Sequence, residues 1–151
     1  MGDWNVARYK QRLRAFNVER ETAKAVRRES FWIIEMNKQN LDKGLNSLDK
    51  LVGVYSPFTA AWAKKDPIPN MNKSVGSPYN FNWTGKFING LFIKYENDVI
   101  TFSSKGLGLT SKSRFIKTNQ LMGLSKKRGR EMNYKILAPA LRESFVKHLN
   151  K

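Results

Sequence analysis

The chain has 151 residues, about one domain's worth, and its 40% hydrophobic and 12% aromatic content is that of a folded protein with a real core, not of a disordered chain. Cysteine is absent and histidine occurs once, at His148, which excludes disulfides, thiol catalysis and a histidine-clustered metal site within one chain. Against 12 Asp and Glu stand 28 Lys and Arg, a net charge of +16, and no run approaches the 18 or so apolar residues of a transmembrane helix.

The charge is concentrated at the two ends. Residues 1–28 hold eight basic and three acidic side chains, residues 29–104 eight and seven, and residues 105–151 twelve and two. An asymmetry of this kind points to an acidic partner: nucleic acid, a membrane surface or an acidic protein.

In chain order, Trp4, Val6, Tyr9 and Leu13 recur at helical spacing among Arg8, Lys10, Arg12 and Arg14, which predicts a basic helical arm over about 1–16. No apolar stretch of a secretory signal is seen there. Asn17 is placed to cap a long helix over 17–43, with Glu19 and Glu21 in its first turn. Val18, Thr22, Ala25, Val26, Ile33, Ile34 and Leu41 form its apolar stripe, and Gly44 ends it. Residues 45–53 fit either a turn or a loose helical turn. Ser56-Pro57 opens a short helix to Lys65, with Ser as N-cap and Pro at the first helical position. Residues 66–83 hold three of the five prolines and many Asn and Ser, a long loop of the kind that is functional or mobile.

Residues 86–104 read as a hairpin. Phe87, Leu91, Ile93 and Tyr95 lead to a turn at Glu96-Asn97-Asp98, and Ile100 and Phe102 alternate with Val99, Thr101 and Ser103. A flexible basic loop follows over 105–113, and a third strand is expected over 114–118. Ser125 caps a C-terminal helix over 126–149, interrupted near Pro139, on which Tyr134, Leu137, Leu141, Phe145 and Leu149 form the apolar stripe. The fold class expected is α+β, a single domain over 1–151, with a long N-terminal and a C-terminal helix packed on a small antiparallel hairpin.

No catalytic constellation is expected. The segment GLGLTSKS at 106–113 lacks the glycine before Lys112 that a phosphate loop needs. The carboxylates are scattered along helix faces. His148 reads as a surface residue near a helix C-terminus. The cluster Lys126, Lys127, Arg128 and Arg130 opposes the dipole of its own helix, which suggests a partner, although a solvated face would look the same. The arm, with Arg interleaved by aromatics, fits base stacking, docking on a neighbouring subunit or packing on its own core.

The order of features resembles small structural proteins of tailed bacteriophages, of the virion-morphogenesis and tail-completion type. The residues that carry the likeness are NKQNLDKGLNSLDKLVG after the long helix, Tyr55-Ser56-Pro57 with Thr59-Ala60, Trp83-Thr84-Gly85-Lys86-Phe87 before the hairpin, Leu121-Met122-Gly123-Leu124-Ser125, and the closing ILAPALRESFVKHL. The Asn-rich loop and the strong positive charge depart from that pattern. The resemblance implies an oligomeric ring in the virion, at the neck, head–tail connector or tail. It implies no enzyme, no cofactor and no membrane, partners among neck, tail and portal proteins, and assembly in the bacterial host cytoplasm. A ring around DNA also supplies a reason for the charge: non-specific double-stranded DNA. The other readings are a nucleic-acid-binding protein, packaged as virion cargo, and a small enzyme such as a nuclease.

Two sets of site residues follow. Lys105, Lys112, Arg114, Lys126, Lys127, Arg128 and Arg130 are expected to form one positive surface toward DNA or an acidic neighbour. Trp4, Tyr9, Trp62, Tyr79, Phe81 and Trp83 lie in short helices or loops that cannot all share one small core, so subunit contacts are expected there.

Overall fold

A computed structural model describes residues 6–65, 73–81, 85–106 and 121–150 of the chain. The third strand expected over 114–118 lies outside the described residues. In chain order the elements are α1 (Val6–Ala15), α2 (Val18–Arg28), α3 (Ser30–Asp42), α4 (Pro57–Lys65), the single turn α5 (Lys86–Asn89), β1 (Leu91–Glu96), β2 (Val99–Ser104), α6 (Lys126–Met132), a π-helical turn (Asn133–Leu137) and α7 (Ala138–Leu149). The class is α+β, helices packed around one antiparallel hairpin.

The long helix expected over 17–43 is two helices. Glu29 leaves helical geometry at φ −93° and ψ 9°, and α3 restarts one residue later. Neither Gly nor Pro marks the break, and the apolar period runs straight through it. The two halves follow different neighbours: α2 lies along α7, whereas α3 packs on β1. The ends behave as expected. Asn17 Oδ1 accepts from the Arg20 N–H at 2.8 Å. At the other end the Gly44 N–H reaches the Leu41 carbonyl and the Leu45 N–H the Asn40 carbonyl, both at 2.9 Å, a Schellman closure. Gly44 has φ 72°, and a Cβ there would stand 2.7 Å from Pro78 Cβ, so any side chain at this position strains the turn.

The hairpin is shorter than expected at its start. Residues 86–89 form a helical turn, and pairing runs from Leu91↔Ser104 to Glu96↔Val99. Asn97 and Asp98 both take positive φ, 50° and 60°, as a two-residue type I′ turn requires. Ile93, Tyr95, Ile100 and Phe102 lie on the covered face, against a core of Ala25, Val26, Ile33, Met132, Leu137 and Ala140. A second core joins Leu41 to Phe87, Ile88, Leu91 and Leu121. Helix α3 spans both, with Ile33 and Leu41 each fully buried. The C-terminal helix is interrupted before Pro139, as expected. Proline cannot donate to the carbonyl four residues back and crowds it, and the widened turn at Asn133–Leu137 absorbs the misfit.

No helix among the described residues is long and apolar enough to cross a membrane.

Candidate functional site

Two outward-facing surfaces stand apart from the cores, one cationic and one aromatic. The cationic one begins where the chain is pinned to α3. Leu121 is buried, and the Gly123 N–H donates to Asn37 Oδ1 at 2.9 Å, with Gly123 at φ 130°. Ser125 then caps α6, its Oγ accepting from the Arg128 N–H at 3.3 Å. This anchoring fixes how α6 presents its side chains. At about 100° per residue, positions 126, 127 and 130 share one face and 128 points the opposite way. Lys126, Lys127 and Arg130 are accordingly exposed, while Arg128 is half-buried and its guanidinium reaches the Met36 carbonyl at 3.4 Å. Of the cluster named from sequence, three residues thus form a solvent face and the fourth ties α6 to α3.

The first turn of α6 carries no acidic residue. The nearest carboxylate in the helix, Glu131, is held below the usual range chiefly by its hydrogen bond to Lys135 at 2.6 Å, with the charges of Arg128 and Lys127 adding to the effect. The face therefore keeps its positive charge where the helix dipole already favours anions. Lys105 is exposed at the end of β2, its N–H on the Gly90 carbonyl at 2.9 Å. Lys112 and Arg114 lie outside the described residues.

The aromatic residues divide. Tyr79 and Phe81 are half-buried against their own chain. Tyr79 meets Tyr55 edge-on at 4.9 Å and Phe81 at 6.4 Å, and Phe81 continues to Phe87 at 6.3 Å. Their packing ties the segment 73–81 to the second core. Tyr9 and Trp62 are exposed. Trp4 and Trp83 lie outside the described residues. Phe31, Trp32 and Phe58, which the sequence pattern does not single out, are exposed as well. Phe58 had a signal: it lies four residues before Trp62, so both project from one side of α4.

The arm is clipped rather than buried. No α1 residue is buried, but Arg12 Nη1 donates to the Leu149 carbonyl at 2.6 Å and His148 Nε2 faces the Arg12 carbonyl at 2.9 Å. Phe16 stacks edge-on with Phe145 at 5.0 Å. His148 is thus a half-buried fastener and not a free surface histidine.

A polar hub not foreseen from sequence centres on Tyr55. Its hydroxyl donates to Asn80 Oδ1 at 2.9 Å and accepts from the Asn80 N–H at 3.2 Å and from Lys73 Nζ at 3.0 Å. Lys73 is only 5% exposed, and burial brings its ammonium down to about 8. Burial also pushes the Tyr55 phenol up. Among the described residues no three His, Asp or Glu side chains converge as a metal site would require.

Compared with known proteins, the chain matches no family model, no curated protein and no solved structure.

Proposed function

We propose that the chain is a structural subunit of a tailed-phage virion, assembled into a ring at the neck or tail, with its basic surface toward DNA or an acidic neighbour. The observation that supports it best is α4, which leaves Phe58 80% and Trp62 52% exposed while burying only Ala60 and Ala63. Large aromatics that stay this exposed are of the kind concentrated at contacts with other chains. The residues that carry the phage resemblance also sit at junctions of the fold. Gly85, at φ 75°, precedes α5; the Gly123 N–H donates to Asn37 of α3; Ser125 caps α6.

The Lys126, Lys127 and Arg130 face supports the second reading, a nucleic-acid-binding protein packaged as cargo, equally well on charge alone. The two part on assembly. Electron microscopy of the purified chain, with DNA titrations at several salt concentrations, tests the choice. A ring subunit gives discrete closed particles and weak binding without sequence preference, falling with salt. Monomers that discriminate between sequences contradict the ring and support the cargo protein.

A further inference from the structure

Gly129 answers to nothing in its own fold. It sits inside α6, where glycine weakens a helix relative to alanine. Its φ is outside the left-handed region, and a Cβ at this position would meet nothing within 4 Å. Gly44, by contrast, is held to glycine by its φ and by Pro78. What lies over Gly129 is an open groove of about 560 Å³. Strand β2 gives it Ile100 and Phe102, the segment before α6 gives Met122 and Leu124, and α6 itself gives Met132. No charged residue lines it, and Thr101 adds an exposed hydroxyl.

The cations stand at the edge of this groove. Around α6, Lys126 lies about 60° and Arg130 about 100° from Gly129, whereas Lys127 lies about 160° away. Lys126 and Arg130 therefore flank the apolar walls, and Lys127 carries the charge outward. All three are exposed, and none enters an ion pair among the described residues. A ligand that fits must join an apolar group to an anion. Twelve basic against two acidic side chains over residues 105–151 favour a repeated anion over a single carboxylate. A nucleotide strand offers both at every repeat, a base with apolar faces and a phosphate. A duplex keeps its bases stacked inside, so only a single strand can lay one in the groove. The bare backbone at Gly129 lets a flat ring lie against the helix.

We propose that the groove between β2 and α6 takes a base of a single-stranded nucleic acid, with Lys126 and Arg130 on the phosphates that flank it. This rests on nucleic acid meeting the α6 surface, as proposed above, and not on the ring. Apolar walls accept the face of any base, so binding is tolerant of sequence. Met122 and Met132, flexible and polarizable, adapt to rings of different size.

Filling the groove in the full-length chain tests this without harming the helix. Gly129→Leu sets a stronger helix former into open space, so its circular-dichroism spectrum should match wild type. In fluorescence-anisotropy titrations it should bind a labelled oligothymidylate roughly tenfold to a hundredfold more weakly, the range for losing one stacked base. Its affinity for a duplex of the same length should stay that of wild type. Gly129→Ala, the smaller intrusion, should give a smaller loss of the same kind. Lys126→Gln/Arg130→Gln should weaken strand and duplex alike, because phosphates are common to both. Groove variants that bind the oligothymidylate like wild type, or that lose strand and duplex equally, overturn the groove while the cationic face stands. A leucine–glutamate copolymer that binds more tightly than the strand, and is lost in Gly129→Leu, would assign the groove to an acidic protein and overturn it as well. A wild-type chain that binds neither strand nor duplex overturns the groove together with the nucleic-acid role of α6, and leaves the ring to be judged by microscopy.

Discussion

Helices α3 and α4 put comparable residues to opposite uses. Helix α3 buries Ile33 and Leu41 completely and joins the two cores. Helix α4 buries two alanines and turns Phe58 and Trp62 outward. Helix α3 too leaves Phe31 and Trp32 exposed; what separates the two is that α4 has no large side chain buried on its inner side. The body formed by α2, α3, α7 and the hairpin holds most of the buried core, and α4 with the first turn of α6 holds exposed aromatic and cationic side chains.

The largest expected effect lies in the body. Ile33→Ala should cost about 2–5 kcal/mol in chemical denaturation, the range for emptying a packed aliphatic site. Phe58→Ala should stay within about 0.5 kcal/mol of wild type, because its ring lies in water. Equal losses at the two positions would erase the distinction between the helices.

Gly44→Ala comes next. The positive φ and the 2.7 Å approach to Pro78 Cβ act together, and a loss of about 1–3 kcal/mol in the same denaturation experiment is expected. A neutral result would show that the turn after α3 can rebuild.

Lys73 gives a pH signature. Its folded value, about 8, lies below the 10.5 of an unperturbed lysine. Between those values the unfolded chain binds a proton that the folded chain does not, so stability rises with pH in that window. Tyr95, pushed up to about 12 mainly by its hydrogen bond to Asp98, acts in the opposite sense above pH 10, where the folded chain holds the extra proton. Denaturation midpoints should therefore climb from pH 8 to 10 and then level or fall. Lys73→Met should flatten the climb; a variant that retains it would place the titrating group elsewhere.

The smallest effect on folding, and a clear one on binding, is expected at α6. Replacing Lys126, Lys127 and Arg130 with Gln should lower the log–log salt slope of DNA binding by about one unit for each phosphate no longer neutralised. Stability should hold or rise slightly, since cations leave a helix N-terminus. Arg128→Gln should do the reverse: it loosens the tie to Met36 and leaves the slope unchanged. If all four positions affected the slope alike, the division of α6 into an outer and an inner face would be wrong.

Much of the fold was legible in the sequence because local chemistry and packing agree. Asn17, Gly44, Ser56 and Ser125 all act at helix ends as their residue types suggest, and Asn97-Asp98 takes the tight turn. The break at Glu29 was hidden because it answers to tertiary neighbours and not to a breaker residue. The turn at 86–89 was hidden because Phe87 and Ile88 are apolar enough to extend a strand pattern, and their burial against Leu41 and Leu121 decides the matter. The cationic surface was legible as composition but not as geometry, since only the cap at Ser125 fixes that Arg128 turns inward. The Tyr55–Lys73–Asn80 hub joins positions 25 residues apart in sequence, a proximity that no local pattern encodes.

The outward aromatic face of α4 matters most, because its place in an assembly is the central claim. Sedimentation equilibrium of the full chain, run over a range of concentrations beside Phe58→Ala/Trp62→Ala, addresses it directly. Wild type should form a discrete oligomer, and the variant should shift to monomer while keeping its helical circular-dichroism spectrum. A wild-type chain that sediments as a monomer at every concentration, or a variant that assembles equally well, would contradict the claim.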